Sequence, residues 1–144
     1  MKTIIAAALL VVVTATGAQA ASLGICKPAD GAGDWWLMAS PECPMTINKR
    51  GRLSSDATRC YAASGGYKEF RGKLTTQPEC SVAGQFDYIR MPGPAPSPED
   101  YKTQCEYQGW MSADRSRITG HLSCKRADSS LPPTRYQAEF VRTK

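Results

Sequence analysis

Six cysteines placed behind an export leader limit most tightly what this chain can fold into. Residues 1–20 carry one charge, Lys2, then an apolar run from Ile4 to Val13, then the small-x-small triplet Ala18-Gln19-Ala20. That is the three-part layout of a secretory signal peptide, with cleavage expected after Ala20. The run is too short to span a bilayer, which takes about 20 apolar residues. A lipidated-cysteine reading of Leu23-Gly24-Ile25-Cys26 fails because Ile25 is bulky and Cys26 stands well beyond the apolar run. Cys26, Cys43, Cys60, Cys80, Cys105 and Cys124 all fall in the mature part. An even set in an exported chain reads as a disulfide framework. Zinc would want close pairs or companion histidines, whereas the nearest cysteines here are 17 apart and the chain has one histidine. No metal and no cofactor is expected, and the place of residence is periplasmic or secreted.

Cleavage leaves 124 of the 144 residues. That length suits a single domain at 21–144, burying roughly two-thirds of its unfolded surface. The formal charge of +5 falls to +4 with Lys2 removed, which is ordinary surface charge for a soluble monomer. Asn48 is followed by Lys49-Arg50, so there is no glycosylation sequon.

Alternation of apolar and polar residues is visible at 82–88, 118–124 and 136–140, with further extended candidates at 34–39, 44–48, 67–75 and 103–112. No stretch of ten residues keeps a helical period. The fold class is therefore all-β, a small antiparallel β-barrel or sandwich stapled by disulfides. Turns are expected at Lys49-Arg50-Gly51, Ser64-Gly65-Gly66 and Ala113-Asp114. The prolines between Met91 and Pro98 exclude a central strand there and indicate a semi-rigid surface loop. The segments Cys60 to Cys80 and Cys105 to Cys124 share a glycine-aromatic pair followed by apolar-x-Gly-basic-Leu-hydroxyl. The likeness suggests two similar hairpins, each closed by its own bridge; 15 pairings of six cysteines stay open.

Catalytic chemistry finds little material. One histidine rules out two-histidine metal and nuclease sites, and no G-x-S-x-G elbow accompanies it. His121 lies on the polar side of an alternating strand, where solvent exposure is expected. The stretch Gly66 to Leu74 has the wrong glycine spacing for a phosphate loop. A carboxylate pair of glycosidase type has no specificity among 13 acidic residues. Trp35 reads as core, Trp36 as its exposed neighbour, and Trp110 as core or a sugar-binding platform. The basic clusters at 49–52 and 125–126 lack flanking aromatics, so no nucleic acid is expected.

The amino-terminal half resembles the small periplasmic inhibitors that bacteria make against their own secreted zinc metalloproteases. The resemblance runs through Ser22-Leu23, Gly33-Asp34-Trp35-Trp36-Leu37, Cys43-Pro44-Met45-Thr46-Ile47, Asp56-Ala57-Thr58-Arg59-Cys60, Gly72-Lys73-Leu74-Thr75 and Val82-Ala83-Gly84-Gln85-Phe86. It implies an eight-stranded antiparallel barrel and a Cys43–Cys60 bridge in place of Cys60–Cys80; either scheme leaves Cys105 for Cys124. It also implies a non-enzymatic binding protein, partnered by a secreted metalloprotease, whose mature terminus enters the protease cleft and brings its α-amino group to the zinc. By position that segment is Ala21, Ser22, Leu23, Gly24 and Ile25. Small Ala21 and Ser22 suit a narrow cleft, Leu23 an apolar subsite, and a disulfide at Cys26 would lower the ordering cost. A secreted hydrolase of glycan or nucleic acid, or a structural or host-directed interaction protein, are the alternatives.

Overall fold

The computed structural model describes residues 24–39, 43–55, 60, 67–91 and 102–143. They form one closed antiparallel barrel of eight strands: β1 (Gly33–Leu37), β2 (Pro44–Ile47), β3 (Arg52–Ser55), β4 (Tyr67–Thr76), β5 (Ser81–Met91), β6 (Lys102–Met111), β7 (Arg117–Arg126) and β8 (Thr134–Arg142). Each strand pairs with the next in sequence, and β8 closes on β1 through Trp36 opposite Val141. Closure leaves no edge to this sheet, which removes the main route to edge-to-edge aggregation.

The two-residue period separates an apolar inside from a polar outside. One interior row runs across the sheet as Leu74, Gly84, Tyr107 and Leu122, and the next as Gly72, Phe86, Cys105 and Cys124; in β8 they continue to Tyr136 and Thr134, which are exposed. The outward row between them is Lys73, Gln85, Glu106, Ser123 and Arg135. A transmembrane barrel has the opposite polarity, with an apolar band outside. No helix among the described residues is long and apolar enough to cross a membrane. Rings fill the centre: Phe70 stacks on Tyr88 with centroids 4.7 Å apart, and Phe140 meets Tyr107 edge-on at 5.0 Å. Glycines alternate with these large residues for room. A Cβ on Gly84 would collide with the Lys73 carbonyl of the neighbouring strand, so that position admits no side chain without backbone movement.

One end of the barrel is sealed by a 3-10 turn, Pro28–Gly31, ahead of β1. Buried Gly31 accepts a hydrogen bond from Trp35 Nε1 at 2.9 Å, and the Arg142 guanidinium lies 4.5 Å from the Trp35 ring centroid while donating to the Asp30 carbonyl. Thus the first and last strands are locked together by one indole and one arginine.

The expected strands are present, most of them one to three residues longer at an end than the alternation alone indicated. β3 is additional: Arg-Leu-Ser-Ser has only one apolar residue and takes its strand character from pairing with β2 and β4. The turn before it is set by Asn48, whose Oδ1 accepts from the Arg50 and Arg52 amides, and by Gly51 at φ 80°. The bridges are Cys26–Cys80, Cys43–Cys60 and Cys105–Cys124. The Cys60–Cys80 alternative is therefore wrong. Cys80 lies in the turn after β4, where Cys26 meets it, whereas Cys60 is held to Cys43 directly ahead of β2. The two-hairpin likeness falls with it: Cys60 to Cys80 encloses one strand, whereas Cys105 and Cys124 are direct register partners on the β6–β7 hairpin. The Ser64-Gly65-Gly66 turn and all of the Pro-rich stretch after Met91 lie outside the described residues.

The β6–β7 turn carries an acid-sensitive contact. Asp114 accepts from the Ser112 hydroxyl at 2.6 Å and from the Ser116 amide and hydroxyl at 3.0 and 2.7 Å, and these bonds hold its carboxyl down at about 2 against an ordinary 3.8. A carboxylate with a depressed folded-state pKa stabilises the fold above its unfolded pKa and loses that contribution as pH falls through the folded value. Asp114→Asn is expected to flatten the fall in melting temperature between about pH 4 and pH 2. An unchanged slope in melts taken at stepped pH would show that the turn does not contribute.

Candidate functional site

The amino-terminal segment approaches the barrel at the sealed end. Cys26 is buried and bonded to Cys80, in the tight turn between β4 and β5, with a Cα–Cα distance of 5.0 Å. Its amide donates to the Pro78 carbonyl at 2.9 Å, and the Gly24 carbonyl oxygen lies 2.8 Å from Cys80 Sγ. A disulfide sulfur has no proton to donate, so the latter is a close sulfur–oxygen contact and not a hydrogen bond. Cys80 sits at φ 65°, unusual for a residue with a Cβ. It is held there by its amide N–H donating to the Gln77 carbonyl, by the Met111 amide donating to its own carbonyl, and by the bridge.

Ile25, immediately before the anchor, is 83 % exposed. A β-branched apolar side chain standing almost wholly in water forgoes roughly 1.5–3 kcal/mol of burial. Gly24 beside it is also exposed, with nothing within 4 Å of where a Cβ would be. Ala21, Ser22 and Leu23, the rest of the expected binding segment, lie outside the described residues, as does the leader 1–20. After the anchor the chain is fixed again: the Lys27 amide donates to Asp30 Oδ2 at 2.9 Å, and Arg115 Nε lies 3.4 Å from the same oxygen. The Lys27 amide, and then Arg115, keep the Asp30 carboxyl below its usual value despite some desolvation. The covalent attachment to the barrel thus falls at Cys26, one residue after an exposed apolar side chain.

No group of three His, Cys, Asp or Glu side chains that could hold a metal occurs among the described residues. His121 is exposed on the outer face of β7, as its place in the alternation indicated, paired across the sheet with Gln108 and Gln137. Trp35 is fully buried and Trp36 is 44 % exposed, both as expected. Trp110 is 56 % exposed, on the outer wall. Tyr107 is an interior residue: its hydroxyl sits 3.2 and 3.3 Å from the Ile118 and Ala138 carbonyls, and burial, reinforced by the charge of Glu139, pushes its pKa far up. Its hydroxyl therefore stays protonated and donates to these carbonyls. Of the basic clusters, the first forms the β2–β3 turn, and Arg126 is bonded to Asp128 at 2.9 Å.

The anchor's partners, Pro78 and Cys80, were not identified from the sequence. Against models of protein families, curated proteins and solved structures, the chain has no match. The described residues define a small up-and-down barrel held by three disulfides.

Proposed function

We propose that this is an exported, non-enzymatic binding protein that inhibits secreted zinc metalloproteases through its mature amino terminus, Ala21 to Ile25. The observation that carries the reading is the anchor. A segment that inserts into a cleft loses conformational freedom on binding, and covalent attachment at Cys26 limits how much remains to be lost. Ile25 is poised outside the barrel surface, where a partner would recover the hydrophobic free energy it forgoes in the free protein. Cleavage after Ala20 then does two things: it releases the protein for export and creates the α-amino group offered to the zinc. The interior is packed with side chains, which favours a barrel used as a rigid platform over one used as a container.

Titration of secreted zinc metalloproteases with protein beginning at Ala21, beside protein carrying one additional residue before it, tests this. The first is expected to inhibit. The second is expected to be weaker by about 100-fold, the scale of losing one buried polar anchor, ~3 kcal/mol. Equal inhibition by both would remove the terminus from the mechanism, and inhibition by neither would remove the function.

A further inference from the structure

A second site stands on the outer wall of β5 to β8, separate from the amino-terminal segment. Two outward rows lie side by side there: Ser81, Trp110, Thr119 and Glu139, then Ala83, Gln108, His121 and Gln137. They enclose a surface depression of about 540 Å³, floored by the backbone of Gly109 and Gly120. Three strand spacings carry it about 14 Å across the wall. The glycines belong to the inward set, and a Cβ on Gly120 would strike the Gln108 carbonyl, so the two strands approach too closely there for side chains.

The chemistry of the depression is of one kind. Trp110 offers an indole that is 56 % exposed. Around it stand two carboxamides, an imidazole and a hydroxyl, those of Gln108, Gln137, His121 and Thr119, all exposed. None of these four side chains, nor the indole N–H, has a hydrogen-bond partner among the described residues, whereas on the next row Gln85 is bonded to Glu106 and at the rim Glu139 is bonded to Arg117. The two nearest carboxylates, Glu106 and Glu139, are therefore engaged, whereas the polar side chains of the depression itself are left free. An aromatic face edged by uncommitted donors and acceptors matches a molecule with a flat apolar face and a periphery of hydroxyls.

We infer that this groove binds a neutral glycan, with a glucose-configured pyranose ring lying on Trp110 and its hydroxyls bonded by Gln108, His121 and Gln137. In that configuration the ring hydroxyls are equatorial, which leaves the axial C–H bonds as an apolar face for the indole. The carboxamides each present a donor and an acceptor to vicinal hydroxyls. No Lys, Arg, Asp or Glu lines the depression, which disfavours nucleic acid and acidic saccharides. Nothing in this inference depends on inhibition of a protease.

The test uses the mature protein labelled with nitrogen-15, titrated with cellotetraose and separately with chitotetraose up to about 10 mM, enough to detect millimolar dissociation constants. The Trp110 indole N–H resonance, assigned by its loss in Trp110→Ala, is expected to shift with at least one of them, while that of buried Trp35 stays in place. Trp110→Ala should weaken binding by at least ~10-fold, as expected for an aromatic anchor. The double substitution Gln108→Ala and Gln137→Ala, on exposed positions that leave the core untouched, should weaken it several-fold. No shift with either saccharide would overturn the inference. So would saturable binding that survives both sets of substitutions, or a Trp110 response to an aromatic dipeptide with none to the sugars, which would make the groove a protein-docking surface.

Discussion

Replacing Cys26 and Cys80 together with alanine is expected to lower the stability of the barrel by about 4 kcal/mol, the largest effect of any of the three bridges. The cause lies mainly in the unfolded chain. This bridge spans 54 residues, against 17 and 19 for the other two, and a longer closed loop removes more conformational freedom from the denatured ensemble. Removal of Cys105–Cys124 is expected to cost nearer 3 kcal/mol by the same reasoning. Denaturant melts of the two double variants, side by side, decide the order. A smaller loss at Cys26–Cys80 than at Cys105–Cys124 would mean that the approach of the amino-terminal segment to the barrel is maintained by other contacts. Under the proposed function the same double variant has a second signature. With Gly24 and Ile25 no longer tethered, inhibition should weaken under conditions where the barrel remains folded, because binding then bears the ordering cost that the bridge had met in advance. An unchanged inhibition constant would detach the anchor from the mechanism without touching the stability result.

The barrel was legible because its strands are long and half-buried. In 82–88 and 118–124 every second residue faces a packed interior, and the alternation is the direct imprint of that. β3 was not, since a four-residue strand with Leu53 as its single inward apolar residue carries too little pattern; its pairing comes from neighbours distant in sequence. The 3-10 turn at Pro28–Gly31 is too short to show a period. Pairing of cysteines was ambiguous for a related reason. Local likeness favoured Cys60 with Cys80, but bridges report which strand ends are adjacent in space, and Cys60 is held to Cys43 ahead of β2 while Cys80 meets Cys26 in the turn after β4. The partner of Cys26 follows by elimination once Cys43–Cys60 and Cys105–Cys124 are paired, since Cys80 alone remains. The outer groove could not be read in advance, because Trp110 beside His121 depends on the register of β6 against β7, and a slip of one residue would turn every side chain to the other face.

Trp35→Ala is expected to cost about 3–5 kcal/mol, and to lower the melting temperature by roughly 10–20 °C in a domain of this size. The indole is fully buried, and it holds three parts of the chain at once. Its N–H satisfies the Gly31 carbonyl in the turn that seals the barrel, its face receives the Arg142 guanidinium from the last strand, and its neighbours Asp34 and Trp36 pair with β2. Truncation leaves a cavity, an unsatisfied carbonyl and a half-buried cation stripped of its aromatic partner, so the loss exceeds that of a simple large-to-small change. Trp35→Phe separates these terms. It keeps a ring beneath Arg142 and much of the packing but cannot bond Gly31, and it should recover more than half of the stability lost in the alanine variant. If phenylalanine is as damaging as alanine, the hydrogen bond to Gly31 dominates, and the seal of the barrel depends on one N–H more than on packing. If alanine itself costs less than about 1 kcal/mol, the first and last strands are held by their backbone pairing alone, and the G-x-W of the first strand has no structural work at this position.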